Sequence, residues 1–123
     1  MNSPTQEKSY QFALEIVALN RNLVDNQSEY VISKQILKSG TSIGANVEEA
    51  IGAQSKPDFR TKMSIAYKEA RETKYWLRIL RDSNLISKEV CNPLLEKCEE
   101  LNRMIGSTVR TMEKQLSKQK KYR

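Results

Sequence analysis

The chain has 123 residues, of which 38% are hydrophobic and 29% charged, and its net charge is +6. This length is typical of one domain and is sufficient to bury a core without disulfides or a structural metal. With only three prolines and four glycines, the composition favours helices with charged outer faces over a disordered chain.

The positive charge is concentrated near the C-terminus. Residues 110–123 contain six basic residues and one acid, whereas the rest of the chain is nearly neutral. Apolar runs are only a few residues long, which excludes a membrane-spanning helix. The N-terminus lacks a basic segment followed by an apolar block, so we expect no secretory signal and a cytoplasmic location.

Two amphipathic helices are predicted in the first half of the chain, at about residues 9–26 and 29–53. In both segments, apolar or small residues recur every three or four positions, which is the periodicity of one helix face. Ser28 is the expected N-cap of the second helix. The first face consists of Phe12, Ile16, Leu19 and Leu23, and the second of Ile32, Ile36, Ser39, Ile43, Asn46 and Ala50.

Gly40 and Gly44 lie one turn apart on the second predicted helix. A glycine inside a helix costs about 1 kcal/mol relative to alanine, so two of them indicate that another helix approaches closely at this face. A ligand slot over the flattened face is the alternative interpretation.

Two further helices are predicted at about residues 57–82 and 88–117, and the second of them ends in a basic tail at 114–123. Proline at position 57 is typical of the first turn of a helix. The start of the fourth helix is ambiguous, because Ser87 and Asn92 are both suitable N-caps.

The two cysteines, Cys91 and Cys98, are seven residues apart on the fourth predicted helix. This spacing separates them by about 10 Å, which is too far for a disulfide, so we expect free thiols in the core. Four helices joined by short connections predict an all-α fold. The expected architecture is an antiparallel up-down-up-down four-helix bundle that forms a single domain over residues 1–123.

The third predicted helix has a wider apolar arc than one buried face requires. Its inner stripe consists of Phe59, Met63, Ala66, Ala70, Thr73, Leu77 and Leu80, and a second row beside it consists of Ile65, Glu69, Glu72, Trp76 and Ile79. The two rows cover about half of the circumference, against about 100° for an ordinary surface helix. The second row is therefore the candidate oligomer interface.

Glu69 and Glu72 are the only acids between residues 59 and 81, and both belong to this second row. A carboxylate that is buried among apolar side chains needs a partner. We expect that partner to be Arg21, Asn46 or a neighbouring subunit.

Two chemical alternatives apply to these carboxylates. One is a metal site formed together with Glu48 and Glu49, although metal sites in bundles normally include Glu-x-x-His pairs and this chain has no histidine. The other is acid–base catalysis by a glutamate with a raised pKa, although the sequence contains no recognisable nucleophile or substrate pocket. We therefore expect a protein that is not an enzyme and has no catalytic residue, cofactor or metal.

A basic row occupies the opposite side of the third helix, and the tail adds further cations. Such a row is often simply solvated surface, but this one contains no interleaved acid and is also suited to contact RNA or DNA. No helix-turn-helix, zinc-finger or RNA-recognition signature accompanies it. The candidate nucleic-acid contacts are Arg60, Lys68, Arg71, Lys74, Arg78, Arg81, Lys114, Lys118, Lys120, Lys121 and Arg123.

Several segments of the sequence carry a resemblance to a known family. They are SGTSIGANVEEA at residues 39–50, Asp58-Phe59, KMSIA at 62–66, KEARET at 68–73 and YWL at 75–77. In these segments and in its overall layout, the chain resembles the 23S ribosomal RNA intervening-sequence proteins, a family of four-helix bundles. It departs from many members at Lys68-Glu69, where they have Gly-Ser.

This resemblance implies a cytoplasmic bacterial protein with an antiparallel four-helix bundle. It also implies similarity to the accessory protein of diversity-generating retroelements, a basic homopentameric barrel that engages a reverse transcriptase and nucleic acid. A homopentamer is therefore the assembly that the resemblance favours, and the family supplies no catalytic residues.

The sequence and the resemblance together predict a non-enzymatic, oligomeric helical-bundle protein that acts in binding or assembly. The expected partner is RNA, DNA or a nucleic-acid enzyme, and neither a membrane nor a small-molecule substrate is expected. One alternative is a structural protein–protein adaptor that binds no nucleic acid, and a second is a carboxylate-metal bundle enzyme.

Overall fold

Four helices make up the computed structural model, which describes residues 3–121 and the side chains of 3–119. The helices are α1 (Pro4–Gln27), α2 (Ile32–Ile51), α3 (Lys56–Asp82) and α4 (Lys88–Lys121). α1 packs on α2, α2 on α3 and α3 on α4, and a less extensive contact between α4 and α1 completes the bundle. Because the connections are short, consecutive helices run antiparallel, and the predicted all-α four-helix bundle is confirmed.

The start of α1 lies earlier than the predicted residue 9 because a capping signal precedes it. The hydroxyl of Ser3 accepts a hydrogen bond from the N–H of Gln6 at 3.0 Å, and Pro4 occupies the first turn. Proline is well suited to this position, since its missing N–H would have no partner within the helix.

The prediction that Ser28 caps α2 is wrong. Ser28 adopts a left-handed conformation with a φ of 50° and ends α1, donating its N–H to the carbonyl oxygen of Leu23. α2 begins further on, where the Glu29 carboxylate accepts hydrogen bonds from the N–H groups of Ser33 at 2.7 Å and Val31 at 3.2 Å. The N-cap residue of α2 is Val31, whose side chain makes no capping hydrogen bond. Glu29 therefore satisfies these N–H groups in its place.

The last two helices both begin after a serine. The hydroxyl of Ser55 accepts the N–H three residues further on, at 3.2 Å, and thus caps α3. The hydroxyl of Ser87 accepts the N–H of Val90 at 3.3 Å, which identifies Ser87 rather than Asn92 as the start of α4. Pro93 consequently lies inside α4. The backbone of α4 remains helical to Lys121, beyond the predicted end at residue 117.

All four helices contribute to one core. Cys91 and Cys98 are free and buried, as predicted, and their S–H groups donate to the carbonyl oxygens of Leu77 and Ala70, each at 3.2 Å. None of the helices in residues 3–121 combines the length and the apolar character needed to cross a bilayer. The largest fully buried apolar side chains are those of Phe12, Ile16, Leu23, Ile36, Ile43, Leu77, Leu80, Leu101 and Ile105.

Gly40 and Gly44 lie where α1 and α2 approach closely. A Cβ added to Gly40 would lie 2.8 Å from both γ-carbons of Ile16, and one added to Gly44 would lie 3.3 Å from the backbone oxygen of Ser9. Helix α1 therefore occupies the face that the two glycines flatten, and the predicted close packing of helices is confirmed.

Replacement of Gly40 by alanine tests this contact. We expect Gly40→Ala to lower the free energy of unfolding by about 1–3 kcal/mol, because the branched side chain of Ile16 has little rotamer freedom in a helix and the helix itself must shift. The measurement is urea unfolding at a fixed protein concentration.

Gly52→Ala is the matched control for this test. A Cβ at Gly52 would approach nothing closer than 3.8 Å, so this variant should be as stable as the unsubstituted protein or up to about 1 kcal/mol more stable. Equal stability of the two variants would contradict the close approach of α1 and α2.

Candidate nucleic-acid interface

The basic row of α3 lies beside α4, and the two helices border a cleft of about 600 Å³. A volume of this size is within the range of about 300–1,000 Å³ that is typical of ligand sites. The cleft is lined by Tyr67, Arg71, Glu72, Lys74, Tyr75, Arg78, Glu99, Asn102 and Arg103.

Small residues on both helices determine how α3 and α4 frame this cleft. The thiol of Cys98 lies 3.2 Å from the carbonyl oxygen of Ala70, so the two backbones are close at that level. One helix turn away, the ring of Tyr67 lies over Gly106, where an added Cβ would be 2.9 Å from Cε1 of the ring. Residues of α3 spaced three and four apart after Tyr67 therefore project along one side of the seam.

Three arginines at the cleft form no close ion pair among the described residues, although Arg78 and Arg103 interact at longer range with Asp82 and Glu100 on their own helices. Among residues 3–119, no carboxylate oxygen lies within 4.0 Å of the guanidinium groups of Arg71, Arg78 or Arg103. Arg71 instead lies over the ring of Tyr67, with its Cζ 5.8 Å from the ring centroid. These groups remain available to an anionic ligand.

The two acids of the cleft do not oppose the arginines directly. Glu99 forms an ion pair with Lys74 at 3.7 Å. The carboxylate of Glu72 accepts the indole N–H of Trp76 at 3.4 Å. The lining thus contains four cations and two acids, and the acids already have partners.

The other predicted contacts on α3 lie apart from the cleft or are neutralised. Arg60 pairs with Glu113 at 3.8 Å, and Arg81 pairs with Asp82 at 2.9 Å. Lys68 is exposed but does not line the cleft. Of the six basic residues predicted on α3, the structure therefore brings Arg71, Lys74 and Arg78 together.

Helix α4 supplies cations that the sequence analysis did not select. Arg103 forms the opposite wall of the cleft, and Arg110 lies on the same face of α4 because seven residues correspond to about two turns. Two cations that the sequence did predict as contacts follow them: Lys114 continues this face, and Lys118 is also exposed. The signal was the helical spacing of Arg103, Arg110 and Lys114. The side chains of Lys120 and Lys121 and the whole of Arg123 lie outside the described residues.

The second row of α3 extends away from the cleft: Glu72 still lines the cleft, whereas Glu69 lies near Lys38 of α2. The side chain of Ile65 is 37% exposed, and Trp76 is only partly buried against the core. The expectation that Arg21 or Asn46 pairs with Glu69 or Glu72 is wrong within the chain: the side-chain amide of Asn46 donates to the carbonyl oxygen of Ser42 at 2.8 Å, and Arg21 is exposed without an ion pair among residues 3–119.

Glu69 has an unfavourable position for a charged carboxylate. Burial raises its pKa, and the neighbouring carboxylate of Glu72 raises the pKa further, whereas Lys68 and Lys38 act in the opposite direction. Lys38 belongs to α2, which places Glu69 at the α2 side of α3. The net effect is a pKa above the ordinary value.

Two of the four glutamates considered as metal ligands have partners on other helices. Both carboxylate oxygens of Glu48 accept the side-chain N–H groups of Gln6 at 2.9 Å, and Glu49 pairs with Lys62 at 3.1 Å. Over the side chains that the structure describes, no three or more histidine, cysteine, aspartate or glutamate residues are grouped so as to hold a metal ion.

The raised pKa of Glu69 predicts a pH dependence of stability. The folded state retains the proton to a higher pH than the unfolded state, so the contribution of Glu69 to stability falls as the pH rises through its folded-state pKa. At a protein concentration low enough to keep the chains single, we expect Glu69→Gln to be more stable than the unsubstituted protein at about pH 7, by less than about 1 kcal/mol because solvent screens a partly exposed group.

The difference in stability between Glu69→Gln and the unsubstituted protein should shrink at about pH 4. This is near the ordinary pKa of a glutamate, so Glu69 also becomes protonated there. Thermal unfolding at the two pH values is the measurement, and Glu96→Gln, at an exposed position on α4, is the control. Lower stability of Glu69→Gln at about pH 7 would contradict the assignment.

Comparisons with known proteins agree with this fold. The family model described as 23S rRNA-intervening sequence protein matches residues 2–107. A crystal structure of a protein with unknown function from the S23 ribosomal protein family of Bacteroides thetaiotaomicron is 47% identical, with a TM-score of 0.84, over 85% of this chain and 97% of that one. No curated protein matches this chain. The chain belongs to the 23S rRNA-intervening sequence protein family.

Proposed function

We propose that this protein is a non-enzymatic, oligomeric helical-bundle module of the bacterial cytoplasm that binds nucleic acid through the cleft between α3 and α4. The observation that carries the proposal is a set of three guanidinium groups at one cleft, those of Arg71, Arg78 and Arg103, that form no ion pair with any side chain of residues 3–119. Guanidinium groups bind phosphate through paired, charge-assisted hydrogen bonds, which makes a polyanion a suitable ligand.

RNA is the first ligand to test. The names of the matched family and of the similar crystal structure refer to ribosomal RNA and to a ribosomal protein. The cleft provides phosphate contacts rather than a pattern for reading base edges, so the binding is expected to depend on charge more than on sequence. Lys114 and Lys118 extend the positive surface along α4 towards the basic tail.

The second row of α3 supports self-association as the other part of the proposal. Ile65 and Trp76 present apolar surface outside the core, and Glu69 has no ion pair within the described part of the chain. A second copy that covers this row would bury the apolar surface and supply a partner for the carboxylate. The resemblance to a pentameric protein makes a homopentamer the expected assembly.

An adaptor that binds only protein is the second candidate function. The same exposed row favours it, because such a row can contact a different protein as well as a second copy. The two functions differ in one measurable property: only the first requires the unpaired arginines of the cleft.

The double variant Arg71→Gln/Arg78→Gln tests nucleic-acid binding. We expect at least about tenfold weaker binding of RNA at about 50 mM salt, and a slope of log affinity against log salt that is shallower by about 1 to 2, because two phosphate contacts are lost. The measurement is fluorescence anisotropy of labelled RNA over a salt titration.

The control is Arg21→Gln/Lys34→Gln. It removes the same charge from exposed positions on α1 and α2, and should bind nearly as well as the unsubstituted protein. Equal losses in both variants would show that only net charge matters, and an absence of RNA and DNA binding by the unsubstituted protein at low salt would exclude this function.

Substitution of Ile65 tests the proposed interface. We expect the unsubstituted protein to have a mass in solution that is a multiple of 14.2 kDa, and Ile65→Glu to shift it towards a single chain because a charge would be buried between copies. Light scattering coupled to size exclusion measures the mass. Val90→Glu, at a 51% exposed position on α4, should leave the assembly intact. A single-chain mass of the unsubstituted protein would contradict the interface.

A further inference from the structure

The most exposed aromatic side chain of the cleft is that of Tyr75, and the phosphate-binding role proposed above does not use it. Its side chain is 55% exposed. Its ring lies against Trp76 in an edge-to-face contact, with 5.3 Å between ring centroids and 68° between ring planes. The edge-to-face contact covers at most one face of the Tyr75 ring, and the 55% exposure of this residue indicates that solvent reaches much of the rest.

Two arginines that form no ion pair among residues 3–119 lie on either side of this ring along α3. Arg71 precedes Tyr75 by four residues and Arg78 follows it by three, so each lies about one helix turn away on α3. Both line the same cleft as Tyr75, and Arg103 lines it from α4. An open aromatic face between cations without acidic partners is the arrangement with which proteins hold a base and its flanking phosphates.

Tyr67 has a different role at the cleft. Its ring is covered on one side by α4 at Gly106, and Arg71 lies 5.8 Å from the ring centroid. Because the Tyr67 ring contacts both Gly106 and Arg71, it forms part of the cleft lining and holds Arg71 in position. Tyr75 is therefore the ring on which a base can stack.

We propose that the cleft between α3 and α4 binds single-stranded nucleic acid, with an unpaired base stacked on Tyr75 and the adjacent phosphates held by Arg71, Arg78 and Arg103. In a duplex the faces of the bases are covered by their neighbours, so a duplex can use the arginines but not the open ring. This inference rests on the proposed nucleic-acid binding and adds the form of the ligand and the residue that distinguishes it.

The first test compares ligands against the unsubstituted protein. The probes are a labelled single-stranded RNA of about 20 nucleotides, its duplex, a single-stranded DNA of the same sequence, and a strand of the same length with abasic sites. We expect the single strands of RNA and DNA to bind at least about tenfold tighter than the duplex and the abasic strand. Either order of RNA and DNA supports the proposal, because both offer the base face and the phosphate.

The second test substitutes the ring and then restores it. Tyr75→Leu removes the stacking face but retains apolar contact with Trp76, and should weaken single-strand binding about 5- to 150-fold without changing the salt slope. Tyr75→Phe restores the ring and should bind within about twofold of the unsubstituted protein. Circular dichroism verifies the fold of both variants. Trp76, the only tryptophan, reports on the site because its fluorescence should change with the single strand and not with the abasic strand.

The outcomes separate this inference from the function on which it rests. Duplex or abasic binding as tight as single-strand binding, or an unchanged affinity in Tyr75→Leu, overturns the single-strand site even if Arg71→Gln/Arg78→Gln still weakens binding. A free nucleoside monophosphate that displaces the strand at equal phosphate concentration also overturns it, since the cleft would then be a mononucleotide pocket. No binding of any strand at low salt overturns both proposals.

Discussion

One constraint shapes the surface of this protein: the middle of α3 packs on two helices at once through small residues. Ala66, Ala70 and Thr73 are completely buried. On one side the hydroxyl of Thr73 donates to that of Ser39 on α2 at 2.9 Å, and on the other the thiol of Cys98 on α4 donates to the carbonyl oxygen of Ala70 at 3.2 Å. At these three positions the packing leaves no space for a longer side chain, while the charged and aromatic side chains of α3 project from its two flanks.

These flanks differ in chemistry because α2 and α4 border different residues. Beside α4 lie the unpaired arginines and Tyr75, and beside α2 lie Glu69 and the partly exposed Ile65. As proposed, binding of nucleic acid and self-association use neighbouring surfaces of the same helix, with Glu72 at the cleft and Trp76 in contact with Tyr75.

Sequence periodicity predicted the packing where the required property was local to one helix. Gly40 and Gly44 indicated a close neighbour because a missing side chain has no other benefit inside a helix, and α1 is that neighbour. The N-cap prediction for α2 was wrong because two neighbouring residues were able to satisfy the free backbone N–H groups at the start of that helix. Ser28 has the right chemistry for an N-cap, but its left-handed φ ends α1, and Glu29 serves the N–H groups of α2 instead.

The sequence by itself determined the four amphipathic helices, the inner stripe of α3 and the presence of a basic row on its opposite side, because each depends only on the 3.6-residue period of a helix. Only the tertiary structure decided which cations act together. Arg60 and Arg81 are neutralised by Glu113 and Asp82, whereas Arg71 and Arg78 face Arg103 from another helix. Distances between helices depend on how the helices pack. They cannot be read from the order of charged residues along the chain.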